Sequence, residues 1–277
     1  MDSYKLCRDR NHYKQYPYTV EYSYNSRGFR DDEWPTTIEE LKECVWCFGD
    51  SFTVGIGSPL NHTWANILQT NINSRCINIS MDGASNDWIA RKAARVLEII
   101  NPKQLIIHWS FLHRRERALS ATYQTDESRV LSNSESINAL FDIDADFTNF
   151  NKNVSLVNNH NVIHSFIPDD YSIFCPLIIL QEKWNFFKGA DWPNLFPNST
   201  VELEQLDKQI KQELQNDNLY DHYYNYLYHR DKVSTLLTNN LAIPMPRQLD
   251  FARDGFHYDK LTATQLVNSI LQLNRFS

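Results

Sequence analysis

Glycine is scarce in this chain: 277 residues hold only seven, where a globular protein of ordinary composition carries roughly 7%. Cysteine is nearly as sparse. Its five copies are an odd number without framework spacing, which excludes a disulfide scaffold and favours a reducing compartment, so the expected location is cytoplasmic. No apolar run reaches membrane-spanning length, and no membrane partner is expected. The opening MDSYKLCRDRNHYKQY lacks an apolar signal core, which argues against secretion by that route. Positive charge is in deficit, with a formal net charge of −7, and this argues against general nucleic-acid binding. The short run Arg114-Arg-Glu-Arg117 reads as solvated surface. No internal repeat and no linker divides the chain, so residues 1–277 are expected to form one domain.

The glycines that are present fall into short clusters: Gly28, then Gly49, Gly55 and Gly57, then Gly83, then Gly255. Glycine is needed where the backbone takes positive φ or comes close to another group, so these clusters mark the special turns. Val45-Trp-Cys-Phe-Gly49-Asp50-Ser51-Phe-Thr53 reads as an apolar strand ending in a tight turn that delivers a serine. In an open parallel sheet the carboxyl edge is where ligands bind. A lone serine hydroxyl is a poor nucleophile and needs a base, and the base needs a group to orient it. Asp254-Gly-Phe-His257 supplies both, because a carboxylate three residues before a histidine can reach back to one ring nitrogen. The other nitrogen then faces Ser51.

Several competing patterns fail. Gly55-Ile-Gly57-Ser-Pro-Leu60 lacks the third glycine of a dinucleotide fingerprint and runs into Pro59. The Gly-x-Ser-x-Gly elbow is absent. Cys44-Val-Trp-Cys47 has the spacing of a redox or zinc pair, but no second Cys/His pair follows and a strand sends the thiols to different faces. They read as buried packing groups, and neither metal nor cofactor is expected.

GDSFTVG, Asn78-Ile-Ser-Met-Asp-Gly83 and Asp254-x-x-His257 together resemble blocks of the SGNH (GDSL-type) hydrolases, in the same order along the chain. The resemblance implies Ser51 as nucleophile, His257 as general base and Asp254 as its partner. It also implies an oxyanion hole from the backbone N–H groups of Ser51 and Gly83, with Asp50 a buried carboxylate bracing the turn. One block departs: the family's Gly-x-Asn-Asp is replaced by Ile106-Ile-His-Trp109-Ser110-Phe-Leu112, which has no asparagine. Asn86 is a candidate oxyanion donor in its place, and equally a helix N-cap. Losing one such donor costs about 10²–10³ in rate in a protease. Asn25-Ser-Arg-Gly-Phe-Arg30-Asp31 resembles an N-terminal element of some of these hydrolases. Its reading here is a turn with a packed Phe29 and no special part for Arg30.

The first 110 residues alternate strand and helix, the pattern of a parallel sheet with helices on its faces. Strands are expected at 44–48, 76–79, 105–109 and 161–167, and a fifth at 241–244. Helices are expected from Pro59 through Leu68, over 87–100, 200–215 and 221–239, and over 262–273. Trp88, Ile89, Ala93, Val96, Leu97 and Ile100 recur at helical spacing on one face. Residues 118–160 read as an insertion, part loop and part helix, and 184–197 as a lid or core segment, so that 113–240 holds the insertion within the one domain. The resemblance implies a three-layer α/β/α, flavodoxin-like parallel sheet of about five strands.

The expected function is a serine esterase hydrolysing a small acyl ester, an O-acetyl group on a carbohydrate being the preferred substrate. Two other readings stay open. One is a catalytically silent carbohydrate-binding or structural protein of the same fold, motivated by the missing asparagine. The other is a thioesterase or lipid esterase using the same triad.

Overall fold

The computed structural model describes residues 14–110, 114, 143–166, 243, 248–255, 257–273 and 276. Four parallel strands form its sheet: β1 (Val45–Gly49), β2 (Cys76–Ser80), β3 (Gln104–Trp109) and β4 (Val162–Phe166), in the order β2-β1-β3-β4. β1 pairs with β2 from Val45↔Cys76 to Gly49↔Ser80, and with β3 from Val45↔Gln104 to Phe48↔Ile107. Every residue of β1, β2 and β3 is buried, as parallel strands covered on both faces must be.

The period of two along each strand splits the core into two layers. Trp46, Phe48, Ile77, Ile79, Leu105, Ile107, Trp109 and Val162 face one side. There they meet α4 (Asn86–Ile99) through Trp88, Ile89, Ala93 and Val96, and α5 (Ile143–Leu156) through Phe150, with Val157 just beyond that helix. Val45, Cys47, Cys76, Ile106 and Ile163 face the other side, against α3 (Trp64–Ile72) and α6 (Lys260–Leu271). This is the three-layer α/β/α arrangement. Each large apolar side chain so buried contributes about 1.5–3 kcal/mol.

Helix α5 lies within the stretch read as an insertion, yet it forms part of a layer, because Phe150 buries against Trp109 at a centroid distance of 5.1 Å. Of the expected fifth strand only Ile243 is described. Its N–H donates to His164 O at 2.8 Å, which sets it beside β4. The segments expected as helices over 200–215 and 221–239, and the 184–197 stretch, lie outside the described residues.

Two short helices were not foreseen. The first, α1 (Ile38–Glu43), starts at a capping box in which Thr37 Oγ1 accepts from Glu40 N and the Glu40 side chain accepts from Thr37 N; Thr-x-x-Glu is the pattern that announces it. The second, α2 (Ser51–Val54), follows β1 directly. Cys44 and Cys47 are buried, free and on opposite faces of the sheet, so the thiols are packing groups. Burial pushes the Cys47 thiol well above its ordinary range.

Candidate active site

In a sheet of this order, β1 and β3 flank the switch point where successive connections leave in opposite directions, and the carboxyl ends of such strands are where open α/β sheets bind ligands. Ser51 follows β1 and Ser110 follows β3. The last residue of β1 is a glycine because nothing larger fits: a Cβ on Gly49 would lie 2.0 Å from Thr53 Oγ1 and 3.0 Å from His108 O. Asp50 then caps α2, its Oδ1 accepting from Phe52 N at 3.0 Å. The cap turns the chain sharply and sets Ser51 at the first helical position.

From the far end of the chain, a loop returns His257 to this edge. Ser51 Oγ lies 2.8 Å from His257 Nε2, across 206 positions in sequence. His257 Nδ1 lies 2.5 Å from Asp254 Oδ2, while Asp254 Oδ1 accepts from His257 N at 3.1 Å. A carboxylate only accepts, so Nδ1 carries the ring proton and Nε2 presents its lone pair to the serine hydroxyl. The Phe52 ring packs on the imidazole at 4.6 Å between centroids. All three polar residues are enclosed: Ser51 is 2% exposed, Asp254 3% and His257 8%.

The turns that hold Ser51 and Gly83 follow neighbouring strands, β1 and β2, at their carboxyl ends. Gly83 closes the turn after β2, next to β1, where Met81 N donates to Gly49 O at 3.3 Å. Neither Ser51 N–H nor Gly83 N–H donates to an acceptor among the described residues. Asn86 does not cap α4: Ser85 does, its side chain accepting from Trp88 N at 3.1 Å. The Asn86 carboxamide instead grips the chain after β3, with Oδ1 accepting from Ser110 N at 3.0 Å and Nδ2 donating to Ser110 O at 3.4 Å.

Nothing on β3 takes the place of the missing asparagine among the described residues. Trp109 points into the α4/α5 layer and its Nε1 donates to His164 Nδ1 at 3.0 Å. Ser110 Oγ donates to Asp50 Oδ2 at 2.5 Å. Arg114, expected as solvated surface, is largely covered and its Nη1 lies 3.3 Å from that same Asp50 oxygen. The fully buried Asp50 therefore faces a hydroxyl, a guanidinium and a helix N–H. A run of three arginines gave no hint that its first member folds inward.

Behind the histidine loop sits a second polar cluster that motif reading did not find. Asp259, two residues after His257, accepts from Ser58 Oγ at 2.9 Å and from His62 Nδ1 at 2.9 Å on one oxygen, and from Tyr16 OH at 2.5 Å on the other. Desolvation and the Asp259 carboxylate together push the Tyr16 hydroxyl well above its ordinary range. Deeper in the sheet, His108 bonds Ser165 Oγ (2.9 Å) and Tyr258 OH (3.3 Å). Burial depresses His108 to about 3 and His164 to about 4, so both are neutral.

Among the described residues no group of three or more His, Cys, Asp or Glu is placed to hold a metal ion, and no helix is long and apolar enough to cross a membrane.

No family model matches the sequence, and no curated protein matches it. Solved structures similar to the chain include a GDSL-like lipase from Bacteroides ovatus ATCC 8483, at 11% identity and a TM-score of 0.39, covering 85% of this chain and 53% of that one. The chain thus spans about half the length of that protein. Others are the psychrotrophic esterase EstA from Pseudoalteromonas sp. (12% identity, TM-score 0.39, 84% and 98% covered) and a GDSL-like lipase from Bacteroides thetaiotaomicron VPI-5482 (9%, 0.38, 84% and 88%). At TM-scores below 0.5 these likenesses assign no chemistry to the chain. Its own atoms define an α/β protein with a Ser–His–Asp hydrogen-bonded chain at the carboxyl edge of a parallel sheet.

Proposed function

We propose that the protein is a serine hydrolase acting on a carboxylic ester, with Ser51 as nucleophile, His257 as general base and acid, and Asp254 as the group orienting His257. The observation that carries this reading is the 2.8 Å contact between Ser51 Oγ and His257 Nε2, backed by the Asp254 carboxylate on the opposite ring nitrogen. Ser51 Oγ attacks the ester carbonyl carbon as its proton passes to His257 Nε2. The tetrahedral oxyanion is met by the N–H groups of Ser51 and Gly83. The C–O bond to the alcohol then breaks, His257 returns the proton to the departing oxygen, and an acyl-serine remains. Water attacks that acyl group, gives its proton to His257, and the acid leaves as Ser51 is restored.

The substrate class proposed is a small acyl ester, an O-acetyl group on a carbohydrate, in a reducing compartment such as the cytoplasm; the buried thiols Cys44, Cys47 and Cys76 support the latter. The whole chain is proposed to act as one domain. The N–H groups of Ser51 and Gly83 are assigned to the oxyanion, with Asn86 Nδ2, which gives one of its two hydrogens to Ser110 O, kept as the candidate third donor.

The test is covalent. A fluorophosphonate probe is expected to label wild type at Ser51 and to leave Ser51→Ala unlabelled, with p-nitrophenyl acetate turnover lost in parallel. With Ser51 only 2% exposed, labelling also reports that a reactant gains entry. An unlabelled wild type would make the protein a silent member of this fold class. Faster turnover of long-chain or thioester substrates than of acetyl esters would favour the thioesterase or lipid-esterase reading instead.

A further inference from the structure

The Ser51–His257 contact joins two loops separated by almost the whole chain, and α2, which carries the serine, is one turn long. A helix of four residues makes too few bonds of its own to fix its orientation. Its C-terminal carbonyls must be held from outside. Asn78 Nδ2 holds Thr53 O at 3.1 Å, and the next two carbonyls are held by Arg30, the residue to which the sequence assigned no special part.

Arg30 is 2% exposed. Its Nη1 donates to Val54 O at 3.1 Å and to Gly55 O at 2.6 Å, the carbonyls that end α2. Its Nη2 donates to Ser58 O at 2.8 Å and to Glu21 O at 3.0 Å. The guanidinium lies 4.3 Å over the Tyr22 ring, and the hydroxyl of that tyrosine accepts from Gly57 N at 2.8 Å. Arg30 and Tyr22 together therefore grip residues 54–58, the turn that leaves the nucleophile.

That turn is also where the second half of the triad rests. Gly57 O accepts from Arg253 N at 3.0 Å. A Cβ on Gly57 would lie 2.9 Å from Ala252 Cβ and 3.1 Å from Asp254 Cγ, so the glycine backbone is pressed against the acid of the triad. A shift of the 54–58 turn moves Ser51 on one side and displaces Asp254 and His257 on the other. We infer that Arg30 is a positioning residue, whose forked guanidinium locks the turn after Ser51 and through Gly57 sets the nucleophile–base distance. Lysine offers a point charge that cannot span both edges of this carbonyl cradle. The inference rests on Ser51 being the nucleophile.

Wild type, Arg30→Lys, Arg30→Ala and Tyr22→Phe are compared by the rate of fluorophosphonate labelling in buffer, with circular dichroism and urea midpoints recording how much of each is folded. Misplacement of about 1 Å can cost on the order of 10²-fold in a reaction. Arg30→Lys and Arg30→Ala are expected to label at least ~10-fold more slowly per folded molecule. Guanidinium at a concentration well below denaturing is expected to restore part of the rate to Arg30→Ala, whereas the same concentration of sodium does not. Tyr22→Phe, which keeps the ring and loses only the acceptor for Gly57 N–H, is expected to slow labelling by a smaller factor. If the Arg30 variants prove unfolded, Tyr22→Phe carries the test, and wild-type labelling by it would overturn the inference. A folded Arg30→Lys that labels at the wild-type rate, or slow labelling that merely follows the unfolded fraction, would overturn it too. Wild type that fails to label removes the Ser51 reading and this one with it; labelled wild type with unaffected variants removes Arg30 alone.

Discussion

Asp254→Asn changes one atom and should nearly abolish the proposed chemistry. Two orientations are open to the new carboxamide. In the first, its oxygen keeps the 3.1 Å bond from His257 N and its NH₂ group faces His257 Nδ1. In the second, the oxygen stays on Nδ1 and the NH₂ group meets the His257 N–H, two donors facing each other in a buried site. Leaving that backbone donor unsatisfied costs about 1–3 kcal/mol, so the first orientation wins. An amide NH₂ can only donate to Nδ1, which forces the ring proton onto Nε2, pointed at Ser51 Oγ. The imidazole then cannot take the serine proton. The same change in a serine protease lowers kcat about 10⁴-fold, or about 5 kcal/mol of barrier. The assay is p-nitrophenyl acetate turnover beside a urea titration, with the urea midpoint expected to move little because size and shape are kept. Turnover within about tenfold of wild type would refute the reasoning, since it would mean that Asp254 does not set the tautomer of a catalytic base.

Gly57 and Gly83 both have positive φ, +80° and +73°, but only Gly57 has neighbours where a Cβ would stand. Gly83→Ala is therefore expected to cost about 1–2 kcal/mol of backbone strain alone. Gly57→Ala adds overpacking against Ala252 and Asp254, for about 2–5 kcal/mol in total, and slows labelling; equal urea midpoints for the two variants would contradict this. Stability should also fall on mild acidification. His108 and His164 titrate at about 3 and about 4 in the fold, whereas in the unfolded chain they take up protons near the ordinary histidine value of about 6.5. Their contribution is fully present above about pH 6.5, and each loses about 1.4 kcal/mol per pH unit as pH falls below that value until it protonates in the folded state. Urea midpoints measured from pH 7.5 to 5, above most of the carboxylate range, should decline; a flat profile would show that the two imidazoles are not held neutral.

The strands and the principal helices were legible because their signals are local. The short, mainly apolar runs at 44–48, 76–79 and 105–109 read as strands from their length and their alternation with helical stretches, and the spacing from Trp88 to Ile100 reads as a helix with one covered side. Ser51 and the Asp254/His257 pair were legible as motifs, since a tight glycine-marked turn and an i, i+3 carboxylate–imidazole spacing are short-range patterns. The capping box of α1 was equally visible and passed over. What no sequence pattern carried were the contacts between segments distant in the chain. Arg30 had no special part in the turn reading of residues 25–31 until the fold brought four main-chain carbonyls around it. Arg114 belonged to a basic run until the end of β3 carried it over Asp50. Asn86 was open to two readings until the strand order put Ser110 against it. A side chain's partner depends on which loops the sheet gathers at one edge. Local propensity sets the strands and turns, but only the order β2-β1-β3-β4 and the closure of α6 set His257 beside Ser51.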